Sequence, residues 1–336
     1  MAVVGQPFID LIDINKAKGA DGKVTASLID IVARQSPVLR SSYMGACNNN
    51  TTHKHVIRSG RGMASWGRLY KGIAASKGNT FQVEDTTGFL EARTEIDMRL
   101  LELEGDNAAK YKLLEAEGQL QTVTENFETA FFYSDTAAAP DEIKGLGARY
   151  GTISNAGPGN QIVDAGGTGS DNMSVWMMTW GPRACALIHP SKVSGGIERQ
   201  QKGEQRVLDD NGNPYYAEED IYRLHTGVSV GDWRYVVRIA NIDVSAFATD
   251  PSGAIDWLRD AYYKHRGRVE NMGKTVIYCR QEFIQGLDEL GTNSAGSDNF
   301  IRLKPMDFMG QEFDAYRGKM PIIETENLLA TEARVV

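Results

Sequence analysis

The sequence predicts an α+β fold in which short strands and turns surround one long helix. Three observations carry that reading. Apolar and polar residues alternate in stretches such as "HKHVIRSG", "FQVEDTTGFLEARTEI" and "DWRYVVRIANI", the period of strands with one covered face. Between residues 106 and 133 the period becomes helical. Glycine, 35 of 336 residues, exceeds its usual share of ~7% and implies many turns between short elements.

Taken in order, residues 1–52 read as an N-terminal arm. "VTASLIDIVARQSP" offers one short helix, capped by Thr25, with Leu28, Ile29 and Val32 on one face and Pro37 at its end. Residues 53–95 read as a long two-stranded hairpin with "SKGNT" as turn chemistry. Isolated ribbons are marginal in water. With few apolar residues to fix it to a core, this one is expected to gain its order from a partner.

Residues 106–133 give the clearest helix, capped by Asp106 or Asn107. Its apolar stripe is Ala109, Leu113, Ala116, Leu120, Val123, Phe127 and Ala130. About 27 residues at about 1.5 Å each span roughly 40 Å. The opposite face holds Lys110, Lys112, Glu115, Glu117, Gln121, Glu125 and Glu128, and is expected to be exposed or to meet a basic partner.

After Pro140, "SVWMMTWGPRACALIHP" reads as two strands broken at Gly181-Pro182, and "QRVLDDNGNPYYA" as a hairpin turning at Asn211-Gly212. "DWRYVVRIANI" is expected to be a strand with Trp233, Tyr235, Val237 and Ile239 on one face. "AIDWLRDAYYKHRG" and "RQEFIQGLDELG" read as helices, "KTVIYC" and "KMPIIETENLL" as strands, the last with a turn.

Charge is unevenly placed. The net charge of −8 excludes the chain as a whole from being a nucleic-acid binder. Ile31 to Val83 contains no acid and eight cations, whereas Glu84 to Glu128 holds twelve acids against four cations. Unlike segments of equal size pair between copies of one chain, and such a head-to-tail contact builds rings or lattices. The candidate contact residues are Arg58, Arg61, Arg68, Lys71 and Lys77 on the basic side, and Glu115, Glu117, Glu125 and Glu128 on the acidic side. The alternative use of the basic 31–83 segment is a nucleic-acid-binding module.

A competing motif is Gly227-Val228-Ser229-Val230-Gly231, the G-x-S-x-G of serine hydrolases. A nucleophile elbow needs a helix after the serine, and a strand pattern follows here. The expectation is a strand entered through two flexible glycines, with the hydrolase using Ser229 as the alternative. Cys47, His53 and His55 lack a fourth metal ligand at sensible spacing, so no metal and no cofactor is expected. Three widely spaced cysteines argue against a disulfide framework. No signal peptide or membrane span is read.

The blocks "SWGRLYKGIAASKGNTFQVEDTTGFLEA", "FFYSD", "KGLGARYGTIS", "GGTGSDNMSVWMMTWGP", "GDWRYVVRIANID", "TVIYCRQEFIQGLD" and "YRGKMPIIETENLLATEARVV" occur in this order. Together they resemble the major capsid proteins of short-tailed bacteriophages of the epsilon-fifteen type, from about residue 50 to the end. The resemblance implies the Hong Kong 97-type phage capsid fold. Residues 1–52 would be its N-arm and 53–95 its E-loop. Residues 96–250 would be a P-domain with spine helix 106–133, and 251–336 an A-domain-rich segment.

The resemblance further implies a structural, non-enzymatic subunit. It would self-assemble as hexamers and pentamers into an icosahedral head around double-stranded DNA, touching that DNA only non-specifically. A scaffolding protein, a portal and a decoration protein would be its partners, with no membrane involved. Assembly would take place in the bacterial host cytoplasm and the product would reside in the virion. Some members of the wider fold crosslink a lysine to an asparagine. Lys71 and Lys77 lie in the hairpin, but nothing around them marks that reaction, and none is expected.

Overall fold

The computed structural model describes residues 36–58, 60–104, 108–208, 212–293 and 303–336. The arm helix read from Thr25 onward, the caps Asp106 and Asn107, and Asn211 lie outside them. Pro37 opens a helix rather than ending one: α1 spans Pro37–Ser41, and the Ser36 side chain accepts from Leu39 N at 3.1 Å. Proline suits the first helical position, where its missing N–H costs nothing. This part of the expected arm is docked, with Ser36, Val38 and Ser41 buried.

The chain continues through β1 (Met44–Ala46), the ribbon strands β2 (Thr52–Arg58) and β3 (Thr80–Thr86), and β4 (Gly88–Asp97). The stretch read as one long second hairpin strand is thus two. β3 pairs only with β2, and after Thr87 β4 leaves to pair with β9 (Pro214–Val230). Then come α2 (Met98–Glu104), the long α3 (Ala108–Tyr133), α4 (Leu146–Arg149), β5 (Ile162–Asp164), β6 (Asn172–Trp180), β7 (Cys185–His189) and β8 (Ile197–Leu208). β8 and β9 form the expected hairpin, with Gly212 at φ +81° in its turn.

Beyond β9, Trp233–Tyr235 is a 3-10 turn rather than strand, capped by Asp232, and β10 covers Val236–Asp243. α5 (Val244–Thr249), α6 (Ala254–Lys264), β11 (Lys274–Cys279) and α7 (Gln281–Asn293) follow. β12 (Leu303–Phe308) and β13 (Gln311–Tyr316), a hairpin that the sequence reading missed, lead into β14 (Met320–Glu324).

Every residue of β6 is buried, because its sheet is covered on both faces. Successive side chains point to opposite faces. Trp176, Met178 and Trp180 therefore join Phe127, Phe131 and Phe132 of α3 in one core. Met173, Val175 and Met177 join Phe247, Leu258 and Phe283 of α5, α6 and α7 in the other. The alternation in β10 has the same origin: Val236 and Ala240 face one core, Val237 and Ile239 the other. β6 bonds β10 on one side and β11 on the other, so the sheet runs without a break across residue 250.

The C-terminal strand and tail close this body. Arg238 and Glu332 form a buried ion pair at 2.7 Å, and Asn241 exchanges side-chain hydrogen bonds with Val335 N and O at 2.8 and 2.9 Å. His265, almost wholly buried, shares its Nε2 between Tyr235 O at 3.0 Å and Thr179 Oγ1 at 3.1 Å. Its Nδ1 has no partner, so a second proton would have nowhere to bond. Burial accordingly pushes its pKa down to about 4 from 6.5.

The unfolded chain takes up this proton near the ordinary value, while the folded chain resists it. Stability is therefore complete above pH 6.5 and falls between 6.5 and about 4, by up to roughly 3 kcal/mol. Chemical denaturation at pH 7, 5.5 and 4 should show this loss, and His265→Gln should flatten that slope.

Candidate assembly surface

The ribbon β2–β3 forms a two-stranded sheet of its own, and Val56, Ile57, Gly60 and Arg61 line a cleft between it and Gly231–Arg234 of the body. Seven residue pairs hold it, from Thr52↔Thr86 to Arg58↔Thr80. Past the ladder the two legs stay side by side. Gly60 and Asn79 exchange backbone hydrogen bonds at 3.1 and 3.2 Å, and Ser76 Oγ donates to Met63 O at 2.7 Å. The loop closes through Lys71 N to Arg68 O at 3.1 Å, with Tyr70 at φ +63°.

The root is clamped. Arg149 Nη2 donates to Asp85 Oδ1 at 2.8 Å and to Val228 O at 2.9 Å, joining β3, α4 and β9. His55 Nδ1 lies 3.8 Å from Asp85 Oδ2 and makes no hydrogen bond. Burial lowers the His55 pKa, against the pull of the Asp85 carboxylate. Beside this clamp, the backbone of Thr86 and Thr87 crosses β9 at Gly227. A Cβ there would sit 2.5 Å from Thr86 O and 3.1 Å from Thr87 Cα.

That contact settles the G-x-S-x-G. Gly227 to Val230 are the last residues of β9, paired with β7, rather than a flexible entry to the next strand. Gly227 and Gly231 are required for close packing, Gly231 lying against Arg183 O. Ser229 is buried in mid-strand opposite Ala186, with none of the strand-to-helix geometry that exposes a nucleophile. The geometry therefore does not support the elbow reading. Among the described residues no group of three or more His, Cys, Asp or Glu is placed to hold a metal. All three cysteines are buried and free, and burial pushes the Cys185 thiol up to about 12.

At the tip the ordinary logic of burial is inverted. Trp66 and Tyr70 are 103% and 107% exposed, and Met63, Leu69 and Ile73 stand open beside them. An apolar patch left in water on this scale marks a contact site. Arg61, Arg68, Lys71 and Lys77 share this loop, and none has an ion-pair partner among the described residues. The side chain of Arg58 lies outside the described part. Other basic residues of the 31–83 segment are used within the chain. Lys54 pairs with Glu84 at 3.4 Å, and Arg40 bonds Gln311 and Met309 O. The segment is thus not one continuous cationic face.

The chain was compared with known proteins. Residues 19–336 match the family model described as major capsid protein GP7. The chain belongs to the major capsid protein GP7 family. No curated protein matches it. Among solved structures, a chain from the structure of bacteriophage Epsilon15 is 27% identical, with a TM-score of 0.70 over 100% of this chain and 99% of that one. The capsid of bacteriophage JBD30 is 9% identical, with a TM-score of 0.49 over 86% and 89% of the two chains. The fold is that of Hong Kong 97-type capsid subunits.

For a capsid subunit the exposed tip is informative, and the sequence reading had passed over its apolar half. Met63, Trp66, Leu69, Tyr70 and Ile73 are spaced by threes and fours, which would give one shared face only on a helix. The structure puts them in an open loop, each individually exposed.

The acidic candidates divide. Glu125 is exposed, and Glu115 and Glu117 are half-buried on α3. Glu128 is no surface residue of this capsid subunit. It is wholly buried, and its carboxylate accepts from Ser36 Oγ at 2.6 Å, Val38 N at 3.2 Å and Asn327 Nδ2 at 2.7 Å. Toward its C-terminal end α3 gains a second buried row, Thr124, Glu128 and Phe132, spaced by four beside the stripe. Burial raises the Glu128 pKa, against the hydrogen bonds that favour the charged form.

Much of the remaining acidic segment is paired within the chain: Glu91 with Arg223 and Arg93, Asp97 with Arg99. Charge in sequence overstated what is free in space. Glu128→Ala should cost about 2 kcal/mol, because four donors, Thr325 Oγ1 at 3.5 Å among them, lose their acceptor. It should also speed tryptic cleavage after Arg40 as α1 loosens, which limited proteolysis against unfolding curves will read.

Proposed function

We propose that this capsid subunit builds an icosahedral head around double-stranded DNA through head-to-tail contacts in which β2–β3 reaches onto the neighbouring copy as the E-loop. One observation carries the reading: Trp66 and Tyr70 are fully open to solvent at the end of a ribbon, with no other described residue covering them. A heterologous contact repeated around an axis closes a ring, and rings of five and six copies suit such a shell.

On this reading Thr52–Thr86 is the E-loop, shorter than 53–95 because β4 belongs to the body. The P-domain comprises α3 over β4, β9 and β8, and the A-domain comprises β5, β6, β10, β11 and β14 with α5, α6 and α7. The subunit performs no catalysis. A scaffolding protein, a portal and a decoration protein are its further partners, and assembly takes place in the cytoplasm of the bacterial host.

Replacing residues 60–79 by a short Gly-Ser turn should leave a folded monomer that forms no shells, by size exclusion and negative-stain electron microscopy. Normal shells would remove the E-loop assignment. Reversing Arg58, Arg61 and Arg68 to Glu together should likewise block assembly with the unfolding midpoint unchanged. Unchanged shells would show that charge plays no part.

A further inference from the structure

The root of the ribbon holds two histidines that its hydrogen bonds leave unused. His53 and His55 lie two apart on β2, with ring centroids 6.2 Å apart. Both ring nitrogens of His55, Nδ1 of His53 and Oδ2 of Asp85 are buried, and none has a hydrogen-bond partner among the described residues. Buried polar atoms are nearly always paired, so four idle ones in one place call for an explanation. Asp85 is divided between two neighbours. Its Oδ1 accepts from Arg149 at 2.8 Å, while its Oδ2 stands 3.8 Å from His55 Nδ1, beyond hydrogen-bond reach. The ribbon also has room beside this cluster. β2 and β3 pair only with each other, and a cleft of about 460 Å³ separates Val56, Ile57 and Arg61 from Trp233 and Arg234. We infer that the ribbon root is a proton-operated hinge, closed on α4 and β9 while the His55 ring is neutral and swung away from them when that ring takes up a proton.

The first argument is charge. Facing His55 are Asp85 from β3, His53 from β2, Arg149 from α4 and the Val230 backbone of β9. Cys185 of β7 lies beside Arg149 and Asp85, and burial keeps its thiol neutral. Asp85 and the Val230 backbone favour a charged ring, whereas burial, His53 and Arg149 oppose it. Asp85 already neutralises Arg149. A proton on His55 therefore leaves two cations against one carboxylate that is only 3% exposed, and a proton on His53 makes three. A charged imidazole also donates from both nitrogens, and one idle carboxylate oxygen cannot serve both. Exposure to water relieves all of these costs together.

The sign follows from the same balance. Burial is the largest effect on His55 and holds its pKa below 6.5. The closed root thus binds the proton less readily than an open root in which the ring meets water. The closed state is fully favoured above pH 6.5 and gives way to the open one as pH falls below it.

The second argument is leverage. Lys54 and Glu84 join the two strands at 3.4 Å, so β2 and β3 move together. Seven ladder pairs at about 3.3 Å per residue hold the tip about 20 Å or more from the root, so a tilt of about 15° moves it by about 5 Å. The inference concerns the root alone and is independent of what the tip meets.

Ser65→Cys with Thr129→Cys supplies one exposed thiol in the loop and one on α3, while the native cysteines are buried. Spin labels on both report the tip-to-body distance in unassembled subunits by double electron–electron resonance. One population is expected at pH 8, and a second, displaced by about 5 Å, at pH 5.5. His55→Gln in the labelled chain should keep the pH 8 distribution at both values. His265→Gln should shift as its parent does, because His265 stays neutral in the folded chain until about pH 4. An unchanged distribution in the parent, or the same shift in His55→Gln, would overturn the hinge. Loss of the shift in His53→Gln but not in His55→Gln would overturn the assignment to His55. A measurement without substitutions guards against a misfolded variant. Deuterium exchange at histidine Cε1, read by mass spectrometry across pH, should place the His55 midpoint below 6.5, and a midpoint at or above that value would also count against the hinge.

Discussion

The crossing at Gly227 is the contact on which the rest of the molecule depends. Within the single residue Thr87 the chain must leave a two-stranded ribbon and enter the sheet of β4, β9 and β8. It does so by laying its backbone on that of β9, at a position where any side chain would collide with Thr86 O. Arg149 fixes the crossing by holding Asp85 on one side and Val228 O on the other. A ribbon held firmly at its root, with Val56, Ile57, Gly60 and Arg61 farther out lining a cleft against Gly231–Arg234, behaves as a lever. Its direction is set by the body, and only its tip is free to meet another molecule.

The composition of that tip answers a problem shared by all self-assembling subunits. Apolar side chains must be available before assembly without causing premature aggregation. On the E-loop reading, placing Arg61, Arg68, Lys71 and Lys77 among Met63, Trp66, Leu69 and Tyr70 would make tip-to-tip encounters repulsive and favour surfaces that carry free carboxylates. Charge supplies selection and encounter rate, while buried aromatic area supplies affinity. The same reasoning explains why so many acids of residues 84–128 are neutralised inside the chain. Scattered free carboxylates would offer the tip too many wrong seats.

Much of this was legible from periodicity, and the misses have physical causes. The stripe Ala116, Leu120, Val123 and Phe127 announced α3, because one apolar row on a helix needs no tertiary information to be read. Glu128 was misplaced because its partners Ser36 and Asn327 are about a hundred and two hundred residues away in sequence, and a helical wheel contains neither. The break at Thr87 was invisible because β3 and β4 have the same period and differ only in partner. β10 looked like a strand with one covered face because alternation is identical whether the second face meets water or a second core. The tip was half-read: its charge was counted, but its apolar side chains were not, since a fold argument looks for apolar residues to bury within the same chain.

Body and tip consequently answer to different constraints. The body closes on itself through the two cores on either side of β6, the Arg238–Glu332 pair and the Asn241–Val335 clasp. None of these involves residues 60–79, so the subunit can fold before it assembles, and substitutions at the tip need not disturb the core. The root belongs to both. A change at Gly227, Asp85 or Arg149 alters local packing and the aim of a lever about 20 Å long or more, so an error of a few degrees there becomes a displacement of an ångström or more at the tip. On the E-loop reading, the precision of assembly depends on the packing at Gly227 as much as on the loop itself.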